Sequence, residues 1–194
     1  GRGKKARRAY GFDDIAIVPS RRTRDPDDVD ISWKLGNYRF ELPLLASAMD
    51  GVVSPTTAGI IGKLGGLGVL NLEGIWTRYE DADEQLERIA AQPKELATAE
   101  MQRIYSEPIK EELIGARIEE VKASGVTTAA SVTPQKTERY AKAVLDAELD
   151  ILVIQGTVVS AEHVSKNAEP LNLKKFIREF ELPVIVGGCA SYST

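Results

Sequence analysis

Val126-Thr127-Thr128-Ala129-Ala130 and Ile151-Leu152-Val153-Ile154 are two short apolar runs, and between them Tyr140, Ala143, Val144 and Ala147 recur at the spacing of one helix face. A continuous apolar run of this length, with no polar alternation, suits a strand covered on both faces. Strand, amphipathic helix and strand together make the right-handed crossover unit of a parallel sheet. Working outward, the unit repeats. Downstream, Leu171, Leu173, Phe176 and Ile177 carry helical spacing ahead of Pro183, and Val184-Ile185-Val186 follows as another strand. Upstream, Leu42-Pro43-Leu44-Leu45-Ala46 and Leu67-Gly68-Val69-Leu70 supply two more. The fold class is therefore α/β, and the alternation alone fits either a doubly wound sheet or a (β/α)8 TIM barrel.

A closed eight-unit barrel usually takes ~250 residues. Five strands in 194 residues read as an interrupted barrel. The expectation is that residues 1–194 form the N-terminal part of a single barrel domain and hold the first five βα units. Strands 6–8 and the loops between them are expected beyond Thr194, with Ser191-Tyr192-Ser193-Thr194 opening the fifth helix. Residue 1 is not methionine, so a few upstream residues are expected as well. The link after the second strand is too long for one helix. Residues 75–124 read as a polar helical insert, with helices over Asp81–Gln92, Lys94–Tyr105 and Ile109–Ser124 separated by Pro93 and Pro108. Residues 1–41 read as an irregular arm, with a short extended piece over Phe12–Pro19 and a turn at Asp25-Pro26-Asp27-Asp28.

Composition narrows the function classes. The chain is 43% hydrophobic with a net charge of −4. That acidity speaks against nucleic acid as a partner. The basic residues Arg2, Lys4, Lys5, Arg7 and Arg8, and then Arg21, Arg22 and Arg24, read as solvated segments. Cys189 stands alone, which excludes an internal disulfide and points to a reducing, cytoplasmic setting. No apolar run reaches the ~18 residues of a membrane span, and the N-terminal residues lack the apolar core of a signal peptide.

Four segments could carry chemistry. Gly65-Gly66-Leu67-Gly68 precedes a strand, whereas a dinucleotide-binding glycine loop follows one, so it reads as a tight turn. Ala46-Ser47-Ala48-Met49-Asp50 closes the first strand, at the end where barrels place their active sites. A hydroxyl, a flexible thioether and a carboxylate there suit a polar ligand with a flat ring. Asp50 could equally cap backbone amides. Gln155-Gly156-Thr157 and Gly187-Gly188-Cys189 end the fourth and fifth strands, where glycine lets a ligand approach the backbone. His163 is the only histidine and has no partner at metal-ligand spacing, so no metal site is expected in this chain. Periodicity and spacing name no reaction.

The same segments resemble the IMP dehydrogenase/GMP reductase family. Phe12-Asp13-Asp14-Ile15-Ala16-Ile17-Val18-Pro19 is similar to its N-terminal signature, and Leu42 to Asp50 to its first strand and the Ser-x-Met-Asp that follows. Leu64–Leu70, Ala129–Pro134, Leu149–Gly156 and Pro183–Gly188 resemble its second to fifth strands. Residues 75–124 stand where the usual dehydrogenase carries a pair of CBS modules and are too few for them, so the chain resembles the CBS-less branch. The resemblance implies a TIM barrel in a homotetramer, a purine nucleotide such as IMP as substrate, and NAD-dependent oxidation of IMP to XMP. A cysteine thiolate would attack C2 of the purine, hydride would pass to NAD, and water would hydrolyse the thioimidate. It places Ser47, Met49 and Asp50 at the nucleotide. It places Thr133, Gln155, Gly156, Thr157 and Gly188 at the cofactor, with Thr133 near the NAD adenosine.

The nucleophile, and the K+ that orders its loop, are implied beyond Thr194. Cys189 is expected not to be that nucleophile but a buried apolar filler with a raised thiol pKa. Two positions depart from the family pattern. Gln155 stands where an aspartate usually meets the nicotinamide ribose, and Gly188 stands where asparagine is usual. The alternatives are a GMP reductase using NADPH, and a non-catalytic purine-nucleotide-binding regulatory paralogue. The 194-residue piece alone is expected to be inactive and, with an open sheet edge, poorly behaved.

Overall fold

In the computed structural model, the described residues are 3, 6, 8–159 and 172–189. Arg2, Lys4, Lys5, Arg7, His163, Leu171 and Ser191–Thr194 lie outside them. The chain divides into two compact units, Gly1–Ile31 and Ser32–Thr194. In the first, Phe12–Asp14 is a 3-10 turn closed by the Gly11 amide donating to the Asp14 carboxylate at 2.9 Å. The extended piece expected from Phe12 therefore begins as a turn, because Asp14 captures the chain locally. Pro26–Asp28 forms a second 3-10 turn, with proline setting its first residue.

The second unit opens with a hairpin where the sequence predicts an irregular arm. Strands β1 (Trp33–Leu35) and β2 (Tyr38–Phe40) pair antiparallel across the two-residue turn Gly36-Asn37, with Gly36 at φ +56. Trp33 and Phe40 stack with ring centroids 4.5 Å apart.

Five parallel strands follow: β3 (Leu45–Ala46), β4 (Leu67–Asn71), β5 (Ala129–Val132), β6 (Ile151–Val159) and β7 (Val184–Cys189). Their spatial order is their chain order. A doubly wound sheet would reverse direction partway. Here the sheet curls without reversal into half a barrel wall. Side chains alternate across it. Leu67, Val69, Ala129, Ile151 and Val153 pack on the hairpin's Phe40, forming the inner core. Leu70, Ala130, Val132, Leu152 and Ile154 face the helices, forming the outer core.

Helix α1 (Pro55–Lys63) starts at a capping box between Ser54 and Thr57. Gly68 lets it close on β4, since a Cβ there would lie 2.7 Å from the Ala58 Cα. Strand β5 begins three residues later than the apolar run suggested, because the Thr128 amide donates to the Asp150 carboxylate at 2.8 Å instead of joining the ladder.

Residues 75–124 hold α2 (Ala82–Ala90), α3 (Lys94–Tyr105) and α4 (Glu111–Lys122), and no strand. They are less uniformly polar than expected. Helix α4 buries Ile114, Ile118 and Val121 in the outer core, with Leu113 buried as well, and serves as the barrel's own crossover helix. The excursion proper is α2 and α3, of which α3 buries only Ile104. Arg117 of α4 locks the base of the excursion, donating to the carbonyls of Trp76 at 2.9 Å, Tyr79 at 3.0 Å and Glu80 at 2.8 Å. Helices α5 (Thr137–Asp146) and α6 (Leu173–Glu179) complete the remaining crossovers.

Candidate functional site

Parallel strands put all their C-terminal ends on one rim. The register pairs Asn71 with Ser131, Val132 with Ile154 and Gln155 with Gly187, so the candidate positions after β3, β4, β5 and along β6 and β7 share that rim. Gln155 and Gly188 are not terminal, however. β6 continues to Val159 and β7 to Cys189.

The loop after β3 folds back on itself. The Met49 amide donates to the Ser47 carbonyl at 2.7 Å, and the Val52 and Val53 amides donate to the Met49 carbonyl at 2.8 and 2.9 Å. Ser47 is exposed and Met49 is 58% exposed. Asp50 differs from both, at only 8% exposure. Its Oδ2 accepts the Ile75 amide at 2.9 Å and a short bond from the Tyr105 hydroxyl, while Oδ1 has no hydrogen-bond partner. Of the two uses open to Asp50, the structure shows backbone-amide capping, with a tyrosine added. Burial, and then the charge-assisted bond to Asp50, push the Tyr105 hydroxyl above its ordinary pKa, against a small opposing effect of Arg78. Tyr105 thus remains a donor. Gly74 makes room for this cluster, because a Cβ there would lie 2.0 Å from Asp50 Oδ1.

Thr133 is also held by a carboxylate. Glu73 accepts both its backbone amide and, at 3.2 Å, its hydroxyl. Glu73 itself is anchored by its amide, which donates to Asn71 Oδ1 at 3.0 Å, and by its carbonyl, which accepts Arg78 Nη2 at 3.1 Å. Glu73, Gly74, Arg78 and Tyr105 were missed as site residues in the sequence. The available signal was the Asn71-Leu72-Glu73-Gly74 stretch, which leaves β4 at the same rim as Ser47.

On the far side of the rim, Gln155 and Gly188 are exposed and Gly156 is half-buried; the Thr157 side chain lies outside the described residues. Gln155 offers a free donor and acceptor, and the two glycines leave backbone open to a ligand. Cys189 is exposed, with Sγ 3.7 Å from the Val186 carbonyl. The expectation of a buried filler is therefore corrected. Among the described residues β7 has a strand neighbour on one side only, so nothing covers its end.

No group of three or more His, Cys, Asp or Glu among the described residues could hold a metal. None of the helices formed by them is long and apolar enough to cross a membrane. A polar groove of about 580 Å³ lies at the opposite end of the sheet, lined by Asn37, Tyr38, Glu148, Asp150, Glu181 and Pro183. There the Tyr38 hydroxyl donates to Asp150 at 2.9 Å. That end of a barrel serves stability rather than chemistry.

Comparison with known proteins agrees with the geometry. The family profile described as "IMP dehydrogenase / GMP reductase domain" matches residues 9–194. An uncharacterized oxidoreductase of Mycobacterium tuberculosis is 45% identical over all of this chain and 53% of its own length. One of Mycolicibacterium smegmatis is 43% identical over the same shares. An inosine-5'-monophosphate dehydrogenase of Methanocaldococcus jannaschii is 33% identical over 46% of this chain and 17% of its own. The crystal structure of an IMP dehydrogenase/GMP reductase-like protein from Corynebacterium glutamicum superposes with a TM-score of 0.91 at 42% identity, covering all of this chain and 52% of that one. The chain thus spans about half the length of the oxidoreductases it matches throughout. Five in-order parallel strands, a rim that gathers Ser47, Met49 and Gln155, and a profile match over nearly every residue lead to one conclusion: the chain belongs to the IMP dehydrogenase/GMP reductase family, whose relatives are oxidoreductases.

Proposed function

We propose that the full-length protein oxidises IMP to XMP with NAD. The observation that carries this reading is the loop after β3, which presents Ser47 and Met49, exposed, at the strand-end rim. The Ser47 hydroxyl can bond a phosphate or ribose oxygen, and the polarisable Met49 thioether can lie against a purine face. Asp50 belongs to the nucleotide site as the residue that anchors this loop.

NAD fits the opposite arc. Gly156 and Gly188 leave the backbone bare for it, Gln155 hydrogen-bonds a ribose hydroxyl, Thr157 lies two residues on in the same strand, and Thr133 stands by the adenosine. When bound, NAD supplies the hydride acceptor. The residues of this chain hold and orient the two ligands. The nucleophilic cysteine and the K+ that orders its loop are assigned outside residues 1–194. The place of Cys189 in β7 itself, rather than on a loop, supports a nucleophile elsewhere. A homotetramer in the cytoplasm completes the reading.

The test is absorbance at the NADH wavelength with full-length protein, IMP, NAD and K+. IMP-dependent NADH formation is expected. NADPH-dependent consumption of GMP would replace the reading with GMP reductase. Gln155 and Gly188, which thin the polar contacts to a dinucleotide, favour a third outcome: nucleotide binding with neither turnover, the mark of a regulatory paralogue.

A further inference from the structure

We propose that the helical excursion is a positioning element of the nucleotide site, and that Tyr105 of α3 acts through Asp50 to set the loop bearing Ser47 and Met49. The inference rests on the function proposed above.

Polar contacts run along the rim from one loop to the next and pass through the excursion twice. The Tyr105 hydroxyl holds Asp50 in the loop after β3. Arg78 lies over the Tyr105 ring, 5.9 Å from its centroid. Its guanidinium donates to the carbonyls of Glu107, just past α3, and of Glu73, just past β4. The Glu73 carboxylate holds Thr133 after β5. Three successive rim loops are thereby tied to one helix end.

Helix α3 is otherwise lightly held, with Ile104 its one fully buried residue. Its last residue nonetheless reaches a carboxylate 55 positions earlier in the chain. Stability alone is a poor reason for that contact. A buried carboxylate with one oxygen unpartnered gains little over an apolar pair of the same volume, whereas it fixes one geometry and rejects others. Backbone bonds inside residues 47–53 shape the loop, but its anchor to the excursion is Asp50.

Tyr105→Phe removes the hydroxyl and keeps the ring. Tyr79→Phe is the control, because Tyr79 donates to the Ile104 carbonyl at 3.0 Å inside the excursion and does not touch Asp50. Two readouts are taken on the full-length protein: amide hydrogen exchange at Val52 and Val53, and KM for IMP and for NAD. In Tyr105→Phe the Val52 and Val53 amides exchange faster, and KM for IMP rises about 3- to 10-fold while KM for NAD stays within about 2-fold, less than the full worth of a hydrogen bond to a charged group because Tyr105 acts on the nucleotide only through the loop. In Tyr79→Phe both readouts keep their wild-type values, even where the melting temperature falls. Asp50→Asn, which keeps the shape and removes the charge, reproduces the effect of Tyr105→Phe and serves if that variant fails to fold. Unchanged exchange in Tyr105→Phe overturns the proposal, as does an equal effect of Tyr79→Phe. If wild-type protein does not bind IMP at all, the functional reading falls, and the exchange readout still decides whether Tyr105 sets the loop.

Discussion

Gly74→Ala places a methyl group where the Asp50 carboxylate sits, 2.0 Å from Oδ1 and 2.4 Å from Oδ2. Gly74 lies at φ −94, which alanine adopts without strain, so the cost is steric and not conformational. Real Cβ contacts stay beyond about 3 Å, so the carboxylate must move by about 1 Å or more. That displacement breaks its bonds to the Ile75 amide and the Tyr105 hydroxyl together. Each hydrogen bond to a charged group is worth about 1.5–3 kcal/mol, and the local overpacking adds about 1–3 kcal/mol. The terms share one moving group and do not sum fully, so a loss of ~3–5 kcal/mol is expected.

The assay is urea unfolding of the full-length protein, read beside two further variants. Gly115→Ala, on α4 with nothing within 4 Å of the added methyl, should gain about 0.5–1 kcal/mol from better helix propensity. Asp50→Ala combined with Gly74→Ala should cost much less than the sum of the single changes, since the clash disappears with the carboxylate. A Gly74→Ala variant within about 0.5 kcal/mol of wild type would refute the packing argument, because that range is typical of surface substitutions.

Three more outcomes are open to measurement. Tyr105 holds its proton more tightly folded than unfolded, so its contribution to stability is complete below the ordinary tyrosine pKa and is lost as pH rises through the range between the two values. Above about pH 10 wild-type stability should fall more steeply than that of Tyr105→Phe, by at most about 1.4 kcal/mol per pH unit, and parallel curves would contradict the assignment. Gln155→Asp should change KM for NAD more than KM for IMP, on the scale of one hydrogen bond, about 0.5–1.5 kcal/mol, and equal changes would move Gln155 away from the cofactor. Cys189→Ser should leave turnover and any covalent IMP adduct intact, and loss of the adduct would make Cys189 the nucleophile.

The wall of the barrel was legible because it is local. Each buried strand announces itself as an apolar run and each crossover as a helical face, and α3 was bounded at Lys94 and Tyr105 by Pro93 and a polar turn. The hairpin has a local signal too, Gly36-Asn37 between Trp33 on one side and Tyr38 and Phe40 on the other. The onset of β5 was not legible, because the bond that diverts the Thr128 amide comes from Asp150, 22 residues on. The site divides in the same way. Ser47, Met49 and Gln155 could be picked as candidates from strand-end position and resemblance. The partners Asp50–Tyr105 and Glu73–Thr133 are 55 and 60 residues apart and leave no periodic trace. A carboxylate in a sequence does not say whether it faces a ligand or a neighbouring loop.

The hairpin also constrains the order in which the molecule can be completed. Phe40 emerges from the ribosome early, and the residues it packs on include Ala129, Ile151 and Val153, which emerge about 90 to 110 residues later. The bond from Tyr38 to Asp150 spans 112 residues. Until β6 has been synthesised, Trp33 and Phe40 have only each other and the short early strands for company, and the inner face stays wet. Such long-range closure is slow and exposes apolar surface while it waits. A nascent chain stalled between α4 and β6 would therefore carry an exposed inner face of the kind chaperones bind.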